Sequence, residues 1–341
     1  MTTRSPLRLL IASAGVAALL ALAGCSSAGG PANTAEIPTG VAFEGYAVAG
    51  DSALKALTSD SGALDTVAIS GVSLTSEGGG VAASSSDALA LLAKAHSAKK
   101  KAELVVDNID ASKGVYSQAI ATKMLSSESN RQFVIAGLAG EVEHGGYDGV
   151  QLDFESLSAS NSDDLVSFAS ELRETLPAKA TISMALTAQT SASGYLAAGY
   201  DLAKLTASID RFVLLAYGEH GSSFSEAGPV GGLPWAQQAL AALLTLVPAK
   251  SVDLAVAGYG STWPTTGKGG VISPAEAREQ AGSRANWVSA QGEWTAKLAD
   301  GTVLWWSDAR SLTVRANAAK SAGLHGVALW QIATADPVAN A

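Results

Sequence analysis

Along the chain, short apolar runs alternate with segments whose apolar positions recur every three or four residues. The runs predict strands at Gly45 to Val48, Thr66 to Ser73, Glu103 to Asp107, Asp148 to Glu155, Thr181 to Leu186, Arg211 to Tyr217, Val252 to Tyr259 and Gly326 to Trp330. Between most of them lie amphipathic stretches that predict helices: Ser86 to Ala98, Asn161 to Leu176, Tyr200 to Ile209, Leu233 to Leu246 and Ala309 to Gly323. The Asn161 stretch carries its own start and stop, with Asp163 and Asp164 in the first turn and Pro177 after the last. Strand and helix in alternation imply right-handed crossovers and a parallel sheet. Eight such repeats in roughly 300 residues fit an α/β fold, the (β/α)8 TIM barrel, whose sites lie at the C-terminal ends of the strands. The region from about Trp263 to Trp305, which holds Trp287 and Trp294, is too long for one loop and predicts a small α+β insertion late in the barrel.

One strand departs from the apolar pattern. In Tyr147 to Glu155 the alternation of an extended chain puts Val150, Leu152 and Phe154 on one side and Gln151, Asp153 and Glu155 on the other. Two neighbouring acids on one face repel each other, an arrangement expected where a site uses them. Glu155 closes the fourth strand, at the end where barrels carry chemistry.

The beginning of the chain bears on where that chemistry happens. Met1 to Leu9 carries Arg4 and Arg8 and no acid, and the apolar stretch from Leu9 to Ala23 is shorter than the ~20 residues a spanning helix needs. An export signal is expected. Leu22-Ala23-Gly24-Cys25 resembles a bacterial lipoprotein signal, which implies cleavage before Cys25, a diacylglycerol on its sulfur and an extracytoplasmic, lipid-anchored protein. Cys25 is the only cysteine, so disulfides and cysteine-based zinc sites are excluded. Ser26 to Thr34 reads as a flexible tether, and the remainder, 36 to 341, as one domain. Without Arg4 and Arg8 the 22 basic residues become 20 against 31 acidic ones, and the net charge moves from −9 to −11, which argues against a nucleic-acid partner. His96, His144 and His325 show no ligand spacing, Gly78-Gly79-Gly80 lacks the lysine and hydroxyl of a phosphate loop, and no Gly-x-Ser-x-Gly elbow occurs. No metal or cofactor is expected.

Four motifs in order carry a resemblance. Asp148-Gly149-Val150-Gln151-Leu152-Asp153-Phe154-Glu155 resembles the Asp-Gly-x-Asp-x-Asp-x-Glu signature of family 18 glycoside hydrolases, the chitinase family. Leu215-Ala216-Tyr217-Gly218-Glu219-His220, with Gly228-Pro229-Val230 and Trp235, is similar to the pattern of the branch that contains spore-cortex-lytic enzymes and N-acetylglucosaminidases. Ala257-Gly258-Tyr259-Gly260 with Trp263, and Gly326-Val327-Ala328-Leu329-Trp330, resemble the seventh and last strands. The resemblance implies a retaining, substrate-assisted hydrolysis of N-acetylhexosamine polymers such as chitin or peptidoglycan strands, an exception to two-carboxylate glycosidases. Glu155 would be the acid and then the base, Asp153 would hold the acetamido N–H, Tyr217 would donate to the acetamido oxygen, and Trp330 would floor the sugar. Asp148, Gln151, Tyr259 and Glu219 would be further substrate contacts.

Two positions depart from the family pattern. Gln151 stands where an acid or asparagine is common, and Gly218 stands where an aspartate follows the tyrosine, a loss that Glu219 next door offsets only if the chain bends there. A carbohydrate-binding lipoprotein of the same fold without turnover is therefore the alternative, and a non-enzymatic envelope scaffold a more distant one. Trp305 and Trp306 fit a polysaccharide groove and a subdomain core equally well, whereas His220 is expected to order its loop. A monomer is expected.

Overall fold

The computed structural model of the protein describes residues 34–341. The signal segment, Cys25 and the tether before Thr34 lie outside the described residues. Eight parallel strands close into a barrel: β1 (Ala42–Val48), β2 (Thr66–Ser73), β3 (Lys101–Asp107), β4 (Gly149–Asp153), β5 (Thr181–Thr187), β6 (Arg211–Leu215), β7 (Val252–Ala257) and β8 (Gly326–Trp330). Each coincides with a predicted strand to within a few residues. Outward side chains such as Val150, Leu152 and Phe154 enter the large core beneath the helices, where Phe154 meets Phe168 of the helix Ser162–Thr175 at 5.9 Å. Two glycines let strands approach: a Cβ at Gly149 would lie 2.3 Å from the Thr181 carbonyl oxygen, and one at Gly326 equally close to that of Ala42.

Inward side chains stack in layers. The lowest is polar: Arg211 pairs with Glu44, with Glu103 at 3.0 Å and with Asp253 at 3.0 Å, and His325 meets Asp253 at 2.7 Å. The middle layer is apolar and mostly small, with Ala68, Val105, Ala185, Val213, Ala255 and Ala328 around Tyr46. The top layer, at the C-terminal strand ends, holds Asp107, Asp153, Tyr217 and Trp330.

The stretch predicted as an insertion forms a five-stranded antiparallel sheet in the order Val271–Ile272, Gly260–Trp263, Val303–Trp306, Glu293–Lys297, Asn286–Val288, with the helix Pro274–Ala281 against it. Trp306 and Trp294 stack at 6.1 Å in its core, while the half-buried Trp305 faces the other way. Buried Glu293 docks the sheet, accepting from the backbone N–H of Val230 (2.7 Å) and Gly231 (2.8 Å) and pairing with Arg315 at 3.5 Å. Elsewhere the expected helix over Tyr200 to Ile209 shrinks to Leu202–Leu205, because the Tyr200 hydroxyl donates to the Phe154 carbonyl and Asp201 caps the turn from outside. The helices Asp51–Asp60, Gln118–Leu125 and Glu128–Gly140 have no counterpart among the predicted ones. Ala35–Ile37 pairs in parallel with Val338–Asn340, so the first described residues lie beside the last.

Candidate active site

The end of β4 delivers Asp153 into the barrel mouth, where it is buried, and two residues later Glu155 arrives half-buried on the same side. Together with Tyr46, Tyr116, Leu215, Tyr217 and Trp330 they line a cavity of about 160 Å³. Trp330 meets Tyr46 edge to face at 5.2 Å, and Tyr217 meets Tyr259 likewise at 6.2 Å, so the walls are rings held by rings. The peptide after Trp330 is cis.

Glu155 is fixed through its backbone. The fully buried Asn108, just past β3, accepts from the Glu155 N–H at 3.0 Å and donates to its carbonyl at 2.9 Å. Ser156 then turns the chain with a left-handed φ of 59°, a conformation that persists only where neighbours enforce it. Burial pushes the Glu155 carboxyl up to about 8, the Asp153 charge pushes the same way, and the Tyr116 hydroxyl opposes both. Burial also raises Asp153, to about 6, against the hydrogen bond from Tyr116, while the neighbouring Asp107 adds to the rise. At neutral pH the pair therefore holds one protonated and one ionised carboxyl, an acid beside an anion.

The structure brings Glu155, Asp153, Tyr217 and Trp330 to one cavity, with Tyr259 against Tyr217 at its edge. Three other expected substrate contacts are elsewhere. Asp148 precedes β4 at the opposite end of the barrel, where its carboxylate accepts from Ala102 N–H and pairs with His96 at 3.0 Å. Gln151 does point inward, but one layer down, where its amide donates to Glu44 at 2.7 Å and to Ser183 at 3.0 Å. Glu219 caps the backbone N–H of Gly232 at 2.8 Å. The chain does bend before it, since Gly218 has φ +81°, a conformation an aspartate at that position adopts only under strain. His220 orders its loop through Ser225 at 3.2 Å. Tyr116, Asn108 and Asp107 were not among the predicted site residues. A wider recess of about 400 Å³ opens at the other barrel face, where Glu44, Arg211, Asp253 and His325 pair with one another and Asp65, Lys99, Lys101 and Glu103 add further charge.

The sequence profile described as Glycosyl hydrolases family 18 matches residues 60–335. The chain belongs to that family. Among family 18 relatives, a protein of Bacillus subtilis strain 168 named as a sporulation-specific glycosylase, YdhD, is 25% identical over 231 residues, 64% of this chain and 55% of its own. The chain thus spans just over half the length of that relative. Two solved structures share the fold: the chitinase from Chromobacterium violaceum (TM-score 0.77, 23% identity, 87% of this chain and 95% of that one) and the spore cortex-lytic enzyme SleL of Bacillus cereus (0.77, 17%, 88% and 72%). The family 18 signature of this chain lies on β4, with its last acid at the cavity.

Proposed function

We propose that this family 18 member hydrolyses β-1,4 bonds in N-acetylhexosamine polymers, with the substrate's own acetamido oxygen attacking the anomeric carbon and configuration retained. One observation carries this: Glu155 and buried Asp153, carboxyls that burial pushes up, stand side by side in a cavity walled by Trp330 and Tyr217. Glu155 gives its proton to the leaving oxygen and later takes one from water. Asp153 accepts the acetamido N–H and stabilises the oxazolinium charge, Tyr217 donates to the acetamido oxygen, and Trp330 supports the apolar face of the sugar. No protein nucleophile takes part. In the same reading the chain is exported and carries a lipid at Cys25, with the reaction outside the cytoplasmic membrane, on the strength of the sequence around Leu22-Ala23-Gly24-Cys25.

The test is incubation with chitooligosaccharides and with peptidoglycan, followed by mass spectrometry of the products, alongside Glu155→Gln. Cleavage of either polymer is expected, with Glu155→Gln slower by about 10²- to 10⁴-fold. The pH profile of kcat/KM is expected to rise near 6, where Asp153 ionises, and to fall near 8, where Glu155 loses its proton. Binding without cleavage by the unmutated protein defeats the enzyme and leaves the carbohydrate-binding alternative, which the missing aspartate at Gly218 favours.

A further inference from the structure

The Asp153 carboxylate has a one-sided set of partners. Its Oδ2 accepts a short hydrogen bond, 2.6 Å, from the hydroxyl of Tyr116, and its Oδ1 is buried with no partner among the described residues. Gln151 lies on the same face of β4 but spends its amide on Glu44 and Ser183, so Tyr116 is, among the described residues, the side chain that hydrogen-bonds to Asp153. Tyr116 lines the cavity and comes from no barrel strand.

It comes from a small hairpin, Ile109–Asp110 paired with Val115–Tyr116, that leaves the end of β3 and folds over the barrel mouth. Both feet of this hairpin are fixed. Asp107, the register partner of Asp153 on the adjacent strand, accepts from the Ile109 N–H at 3.0 Å. Asn108 takes hold of Ser117 through two hydrogen bonds, one of 2.9 Å to its own carbonyl and one of 3.0 Å from its amide. The tip is closed by Asp110, which accepts from Ser112 and Lys113, and by Gly114 with φ +67°. The asparagine that holds the stem is the one that clamps the backbone of Glu155, so one residue sets the spacing between the acid and the hydroxyl.

We propose that Tyr116 is a positioning residue for Asp153: the hairpin delivers its hydroxyl to Oδ2, which fixes the carboxylate beside Glu155 and leaves Oδ1 without a protein donor. This rests on the hydrolytic function proposed above. A tyrosine serving only as packing has no need to place its hydroxyl at 2.6 Å from a buried carboxylate whose other oxygen is free. Because the hydrogen bond favours the ionised form, it also keeps Asp153 charged at a pH where burial alone would protonate it.

Tyr116→Phe removes the hydroxyl and keeps the ring. Its effect on the pair is read in the free protein by 13C-carboxylate NMR, with Asp153 assigned through its loss in Asp153→Asn. The Asp153 midpoint is expected to rise by roughly one pH unit in Tyr116→Phe; an unchanged midpoint overturns the proposal whether or not the protein turns over any polymer. In the hydrolysis assay kcat is expected to fall about tenfold with KM within about twofold, and the acid limb of the pH profile is expected to move to higher pH. A fall in rate with the limb unmoved marks a packing role only and overturns the proposal. Absence of turnover in the unmutated protein defeats the hydrolytic function instead, and the NMR midpoint still decides the pairing.

Discussion

A carboxyl that burial keeps protonated to about pH 8 weakens the fold wherever the solvent is neutral. Unfolded, Glu155 titrates near ~4.3, so between that value and about 8 the native state binds more protons than the unfolded one and stability falls as pH rises. Glu155→Gln is therefore expected to melt about 5 °C higher than the unmutated protein at pH 7 and at the same temperature at pH 4, a comparison scanning calorimetry makes directly. Much of this was legible from alternation, which put Asp153 and Glu155 on one face. Alternation says which side a residue faces and nothing of its depth. Gln151 shares that face, yet it sits one layer lower, where Glu44 and Ser183 from other strands meet it. Asn108 left no signal either, because its role is to bind the backbone of a residue 47 positions away.

At the scale of elements, the eight barrel strands were readable because strands buried on both faces form continuous apolar runs between breakers. The hairpin that carries Tyr116 was not, since its strands are two residues each and its turn of Ala111 to Gly114 looks like any polar loop. The helices Gln118–Leu125 and Glu128–Gly140 were obscured by alanine and glycine, which weaken the contrast between buried and exposed faces. The insertion shows how two elements far apart in sequence depend on one side chain. Glu293 is buried and binds the backbone of Val230 and Gly231, which continue the strand-six loop that begins at Tyr217. Removing it leaves the Arg315 guanidinium buried without its carboxylate. Glu293→Ala is expected to lower the unfolding free energy by about 3 kcal/mol in guanidinium titrations. A change below about 0.5 kcal/mol, the size of an ordinary surface substitution, would show that the docking is held elsewhere.

For the whole molecule, the barrel divides its charge by height. The floor gathers its acids around the Arg211 guanidinium and the mouth holds acids whose partners are hydroxyls, yet burial lifts Glu44 in the floor to about 7 as it lifts Asp153 and Glu155 in the mouth, so both ends hold carboxyls that change protonation near neutrality. None of the described helices is long and apolar enough to cross a membrane. Association with a membrane through the lipid proposed at Cys25 is tested by fractionation: Cys25→Ala is expected to move the protein from the membrane to the soluble fraction while the barrel still folds. An unchanged distribution would remove the lipid from the account.

The pairing of Ala35–Ile37 with Val338–Asn340 has a consequence of another kind. Because the pairing is parallel, residues 34 and 341 lie at opposite ends of a three-residue ribbon, so a linker of roughly a dozen residues that runs back along it joins them, and the exposed turn at Thr265 to Lys268 offers a place to reopen the chain. A circular permutant made that way keeps every barrel strand, the hairpin and Asn108 intact. With the linker in place the barrel becomes a ring in its connectivity as well as in its cross-section, and the strand that comes first is set by where that ring is cut.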